Sequence, residues 1–444
     1  MMETKATVAL INLGCPKNQV DGETMLGILA AAGCPVVSDP AEATVILVNT
    51  CGFIDPAKEE SIEAIIEAAQ YKAGECRALV VSGCLSQRYV SELSRELPEV
   101  DAFIGTGELG RIAEVVEAAL AGQRQLAVAA PQPASLEVGP RLLSSFGPTA
   151  YIKIAEGCDN RCAYCAIPDI RGGYRSRRRE AVLEEAGQLV SQGIRELILV
   201  AQDTTRYGMD WSERSQLASL LSEVSQLPEL RWVRVLYLYP ALVDDKLLET
   251  VAGSPIICNY LDLPMQHGSD RMLKAMNRRY SADDLRRLVD RCRRIIPDVV
   301  LRSSFIVGFP GESETDFEAL LELMSDLELD HAGVFTYSRE EGTVAASRHP
   351  QVPAAVKHER YHRAMTLQRE IAARQIRRFI GRNLTVVVEE VGENQSVGRA
   401  EKDAPEIDGS VIIDGYHGRP GEFVSVRITG ALEYDLLGHL RTED

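Results

Sequence analysis

The chain has 444 residues, 45% of them hydrophobic and 25% charged, enough for about three ordinary globular domains. No apolar run is long enough to span a bilayer, and the opening MMETKATVAL lacks the basic-then-apolar pattern of a signal peptide, so a cytoplasmic location with reduced thiols is expected. The formal net charge of -17 disfavours direct nucleic-acid binding, which needs clustered Lys and Arg, and suits a basic partner.

TVALINLG (7–14) reads as a buried strand, with a helix near Asn18–Ala32. TVILVNTC (44–51), ALVVSGC (78–84) and DAFIGTG (101–107) are further strands. The helices after them run from about Pro56 to Tyr71, from about Ser86 to Glu96, and to about Ala121. Strands alternating with helices imply a parallel sheet covered on both faces, with ligands beyond the carboxyl ends of the strands. Residues 1–122 are thus expected to form one α/β domain. Residues 123–149 carry Pro131, Pro133, Pro140 and Pro148 without helical period and read as a linker. Within 150–380 a second alternation has strands at 150–157, 196–203, 232–239, 259–265, 299–309 and 331–338, which predicts an open, partial (β/α)6 barrel. A basic helical stretch, about Ala354–Ile380, leads into 381–444. There the runs LTVVVEEV, SVIIDG and EFVSVRIT predict a small antiparallel β-barrel of about five strands. The fold class is α/β, with that barrel at the carboxyl end.

Ten cysteines in a reducing compartment point to metal or redox chemistry before disulfides. Cys34, Cys76, Cys258 and Cys292 sit in ordinary surroundings and are expected to be inert. Cys158-Asp-Asn-Arg-Cys162-Ala-Tyr-Cys165 is a Cys-x3-Cys-x2-Cys run just after a predicted strand. Three such thiolates can hold three irons of a 4Fe–4S cluster and leave the fourth open. A structural zinc site needs a fourth ligand, and His267 or His331 would have to supply it from afar.

From about residue 145 to 375 the chain resembles the radical S-adenosylmethionine superfamily. The resemblance implies that Cys158, Cys162 and Cys165 bind the cluster whose open iron chelates S-adenosylmethionine, and that reduction cleaves it to a 5′-deoxyadenosyl radical. It also implies that Tyr164 lies near the adenine, and that Gln202 and Asp203 end the strand contacting the methionyl amine, where Ala-Gln-Asp replaces the usual Gly-Gly-Glu. Arg302, Ser304 and Ile306-Val-Gly308-Phe-Pro-Gly-Glu312 match the strand that contacts the nucleoside, although a β-branched strand capped by glycines is also ordinary core structure.

Cys15, Cys51 and Cys84 are distant in sequence, yet each ends a separate predicted parallel strand, in NLGCPKN, VNTCGFI and VSGCLSQ. Neighbouring strands lie about 4.8 Å apart and share one edge, so the three thiols can converge on a second cluster. Gly14, Gly52 and Gly83 adjoin them and would let the backbone approach a bulky ligand closely. These phrases resemble the methylthiotransferase domain over about residues 5–122. The family pattern implies two 4Fe–4S clusters, S-adenosyl-L-methionine, an external electron donor, and sulfur delivered from the second cluster.

Two branches share that chemistry, one acting on a tRNA adenosine and one on an aspartate β-carbon of the twelfth small-subunit ribosomal protein. GCPKN (14–18) and NTCGFIDPAKEES (49–61) resemble the ribosomal-protein branch. The carboxy-terminal barrel resembles a TRAM domain. Between Asn383 and Asp444 it holds five Lys or Arg against thirteen Asp or Glu, a sign that suits a basic protein partner better than RNA. Arg171, Arg175, Arg177, Arg178 and Arg179 follow the cluster loop, either to engage acidic groups or as a solvated face.

Overall fold

The computed structural model describes residues 6–131, 139–144 and 147–441; Pro133 of the linker lies outside them. The first unit is a five-stranded parallel sheet of β1 (Val8–Asn12), β2 (Val45–Thr50), β3 (Ala78–Gly83), β4 (Ala102–Ile104) and β5 (Gln125–Ala127), in that spatial order. Its helices are α1 (Pro16–Ala31), α2 (Asp55–Gln70), α3 (Cys84–Glu96) and α4 (Ile112–Leu120). Successive strand residues point to opposite faces. Val45, Leu47, Ala78 and Val80 therefore pack on Met25 and Leu29 of α1 and Val115 and Val116 of α4. Ile46, Val48, Leu79 and Val81 pack on Ile65 of α2 and Leu93 of α3. Burial on both faces explains the unbroken apolar runs.

Residues 123–149 are not a bare linker. β5 extends the sheet, and Arg141 ion-pairs with Glu23 and, at 2.9 Å, with Glu185, tying the segment to both neighbours. The three-residue strand Gln-Leu-Ala, with Leu126 exposed, has no period to read.

The second unit is a six-stranded open arc. β6 (Thr149–Lys153), β9 (Glu196–Val200) and β10 (Trp232–Val235) form one parallel ladder, and β11 (Tyr260–Asp262), β12 (Val300–Val307) and β13 (His331–Thr336) another. A bridge from Val233 to Ile257 joins them. A short ribbon of β7 (Ala155–Glu156) and β8 (Arg175–Ser176) carries the cysteine loop and α5 (Ile167–Arg171) between its strands. Outside the arc lie α6 (Arg179–Ser191), α7 (Leu217–Val224), α8 (Asp245–Ala252), α9 (Asp270–Ala275), α10 (Ala282–Ile295), α11 (Glu314–Leu327) and α12 (Ala354–Gln375). Leu301, Phe305 and Val307 of β12 pack outward, while the alternate Arg302, Ser304 and Ile306 are half-buried on its inner face.

The third unit is a closed barrel in the order β14 (Asn383–Val391), β15 (Gln395–Ala400), β16 (Val411–Asp414), β18 (Leu436–Leu440), β17 (Phe423–Ala431). Its pairings are antiparallel except β16 with β18. It plugs the end of the arc where the strands begin. Arg399 pairs with Glu196, Tyr260 donates to Asp408 at 2.6 Å, and His331 lies between Asp403 at 3.7 Å and Asp408 at 3.5 Å. Two of the barrel's acids, Asp403 and Asp408, are therefore spent inside the molecule. The cysteines stand at the opposite end.

Candidate functional site

Asn12, Asn49 and Ser82 are paired in register near the carboxyl ends of β1, β2 and β3, and the chain reaches Cys15, Cys51 and Cys84 two or three residues later. Cys15 caps α1 and Cys84 begins α3. Asn18 ties the three loops together. Its amide donates to the carbonyls of Leu13 at 3.0 Å and Thr50 at 2.8 Å, and its oxygen accepts from Arg171 at 2.7 Å and stands 3.7 Å from the Cys84 sulfur. The glycines serve this convergence. Gly14 has φ +90°, and a Cβ there would lie 2.9 Å from that of Cys51; on Gly83, with φ +95°, it would lie 2.4 Å from the Thr50 carbonyl.

The three thiols feel one another's charge. Burial pushes Cys51 up to about 12, with Cys84 adding to it, and burial raises Cys84 against the pull of Arg171. Burial acts on Cys15 too, but Lys17 and Arg171 outweigh it and hold that thiol below its ordinary range. Arg171 is 1% exposed. It belongs to the second unit yet reaches the first, pairing with Asp21 and Glu156 at 2.9 Å each and donating to the Cys84 sulfur at 3.5 Å. Lys153 joins the same network through Asp21 and, at 2.6 Å, Glu156.

Cys158, Cys162 and Cys165 share one loop. Its backbone is clamped by Ala163 N–H to the Met276 carbonyl at 3.0 Å and by the Asn277 amide to the Arg161 carbonyl at 2.9 Å. Arg278 donates to the Cys162 sulfur at 3.4 Å and lies over the ring of Tyr239. Burial pushes Cys158 up to about 11 and raises Cys165 further, with the neighbouring thiols contributing.

Each triad brings three free thiols together, the donor set that three corners of an iron–sulfur cube take. Among the described residues no three His, Cys, Asp or Glu side chains close on one point as a single metal ion requires. His267 and His331, the histidines that a zinc shell would have used, are engaged with Glu312 and with Asp403 and Asp408. A cube instead takes thiolates at separate corners. Thiols raised by burial lose their protons when metal binds.

The residues expected around S-adenosylmethionine spread over the inner face. Tyr164 packs with Met272, Met276, Ile306, Phe309 and Tyr337 in one apolar cluster beside the loop. The Gln202 amide donates to Glu156 at 2.9 Å, while its own oxygen is buried without a partner. Ser304 lies opposite Gly333 on the inner face, and Gly308 turns at φ +73° with its N–H on Glu312. Arg302 points to the floor, at 3.0 Å from Asp262 and 3.5 Å from Asp408. Sequence reasoning missed Lys17, Asp21, Lys153, Glu156, Tyr237 and Arg278. The signal for two of them was available: Lys153 and Glu156 interrupt the otherwise apolar AYIKIAEG.

Residues 7–105 match the Uncharacterized protein family UPF0004, 152–324 the Radical SAM superfamily and 380–440 the TRAM domain. The fold is similar to that of the radical S-adenosylmethionine methyltransferase TsrM from Kitasatospora setae, solved with cobalamin and a 4Fe-4S cluster (TM-score 0.56, 16% identity, 75% of this chain and 72% of that one). It is also similar to the cobalamin-dependent radical enzyme OxsB (TM-score 0.53, 13% identity, 82% and 56%). Over 440 residues the chain is 50% identical to the ribosomal protein uS12 methylthiotransferase RimO of Desulforamulus reducens, covering 98% of this chain and 99% of that one. It is 48% identical over 433 residues to the protein of the same name in Heliobacterium modesticaldum, covering 97% and 94%. The chain belongs to the family of ribosomal protein uS12 methylthiotransferases.

Proposed function

We propose that the chain adds a methylthio group to the β-carbon of an aspartate in ribosomal protein uS12, using S-adenosyl-L-methionine, two 4Fe–4S clusters and an external electron donor. The observation that carries this reading is the pair of thiol triads, one on a loop of the arc and one on the sheet edge docked to it, in a chain half identical to uS12 methylthiotransferases along its whole length.

When bound, S-adenosylmethionine and the clusters supply the one-electron chemistry that opens an unactivated C–H bond and delivers sulfur and a methyl group to it. The chain's own residues position that chemistry. Cys158, Cys162 and Cys165 would hold one cluster, with Arg278 oriented on Cys162. The apolar cluster around Tyr164 offers a face for the adenine, and the unpartnered Gln202 oxygen an acceptor for the methionyl amine. Cys15, Cys51 and Cys84 would hold the second cluster, fixed to the arc by Arg171. The barrel closes the arc from below. Glu389, Glu390, Glu393, Asp414, Glu422 and Glu433 remain exposed on the carboxy-terminal barrel and support docking of a basic protein there. All ten cysteines are unpaired, which agrees with a reducing cytoplasm; among the described residues no helix is long and apolar enough to cross a membrane.

The test is anaerobic reconstitution with iron and sulfide counting, followed by incubation with uS12 and with tRNA in separate reactions and mass spectrometry of each. Two clusters per chain and a methylthio mass gain on uS12 are expected. A gain on tRNA alone would overturn the substrate.

A further inference from the structure

Lys17 is 8% exposed, and its ammonium stands 3.6 Å from the centre of the Tyr237 ring. Among the described residues no carboxylate pairs with it; Asp21, one turn along α1, is taken by Lys153 and Arg171. A buried cation is costly without an anion beside it; the one at hand is the Cys15 thiol, whose proton Lys17 helps to displace, and no carboxylate shares the load. Tyr237 carries its own sign of strain. Its φ is +62°, a left-handed backbone that bulky residues avoid, held by its N–H on Asp262 at 3.0 Å and its carbonyl accepting from Thr204 at 3.1 Å. The strained turn carries the ring to the inner face beneath Lys17. Two residues on, Tyr239 lies under Arg278, which donates to Cys162, so the segment 237–239 runs from beneath Lys17 to the arginine on the loop triad.

We propose that Lys17, seated on Tyr237, receives the side-chain carboxylate of the target aspartate and so determines specificity. This rests on the substrate reading above. The reacting β-carbon is bonded to that carboxylate, so the group that grips the carboxylate fixes where the carbon stands, here beside Cys15. The aromatic platform holds the ammonium beside Cys15 without a carboxylate partner, so one charge faces both that thiol and an arriving substrate carboxylate. The plainer role, in which Lys17 only balances thiolate charge around Cys15, makes no distinction between substrate side chains.

Full-length, cluster-loaded enzyme is titrated anaerobically with uS12 peptides carrying Asp or Asn at the target position, and the ratio of their Kd values is read. Wild type is expected to prefer Asp by roughly tenfold to a hundredfold, the range of a charge-assisted contact. Lys17→Met is expected to bring the ratio near one, and Lys17→Arg to keep most of it. An unchanged ratio in Lys17→Met with wild-type iron content overturns the proposal, as does a wild-type ratio of one. Should Lys17→Met lose iron, Tyr237→Leu on the arc decides: the ratio is expected to fall, and an unchanged ratio overturns the proposal. Methylthio product from wild type without dependence of the ratio on Lys17 sinks this inference alone. A Lys17-dependent ratio with no product sinks the substrate reading alone.

Discussion

The two thiol triads are assembled by opposite means. Cys158, Cys162 and Cys165 lie within eight residues of one loop, and a few contacts, chiefly Arg278 and the clamps at Met276 and Asn277, set their geometry. Cys15, Cys51 and Cys84 come from three strand ends, and their geometry is a property of the whole sheet plus an arginine from another unit. The charge around them differs as well. Burial raises Cys51 and Cys84 as it raises Cys158 and Cys165, and only at Cys15 do Lys17 and Arg171 outweigh it. The local triad depends on a loop, and the dispersed one depends on how two units dock.

The strongest way to break this contrast is to remove one thiol from each. Cys162→Ala is expected to abolish release of 5′-deoxyadenosine from S-adenosylmethionine. Cys51→Ala is expected to keep that release and lose methylthiolation of uS12, and wild-type yield from Cys51→Ala would refute the division of labour. Next comes Arg171→Ala, which takes from Asp21 and Glu156 one of their two buried cations and leaves them to Lys153 alone. A loss of about 3–5 kcal/mol is expected from urea unfolding, with iron lost from the amino-terminal triad while the loop keeps its spectroscopic signal. Equal loss from both would erase the distinction. Arg278→Ala should do the converse, reducing turnover by roughly 10–100-fold with iron at the amino-terminal triad unchanged by quantitative spectroscopy. The smallest effect belongs to Tyr260→Phe, which removes the hydrogen bond to Asp408 in the floor. A fall of about 1.5–3 kcal/mol in unfolding free energy is expected, with both clusters retained; loss of either cluster would mean that the floor helps to shape the site.

The sequence revealed features that are periodic or local. The apolar runs and their turn residues located the long buried strands, because burial on both faces leaves a mark in composition, but not the short or mixed β5, β8, β15 and β18. The loop triad is a spacing, and the dispersed triad could be read because each cysteine follows a legible strand. The docking of the units left no such mark. Arg171 stood in a run of arginines that composition could not distinguish from a solvated surface, yet it is buried against Asp21, 150 residues away. Arg177 is buried too, on Glu185. Net charge likewise said that the last barrel is acidic, but not that Asp403 and Asp408 face inward.

The plug formed by the last barrel has a consequence for how a target is presented. With the floor of the arc filled by side chains from 399–408, the approach to the thiols lies on the opposite rim, where the cysteines stand. The target residue therefore has to be offered to the thiol-bearing rim, and a projecting loop or hairpin of the partner suits that approach.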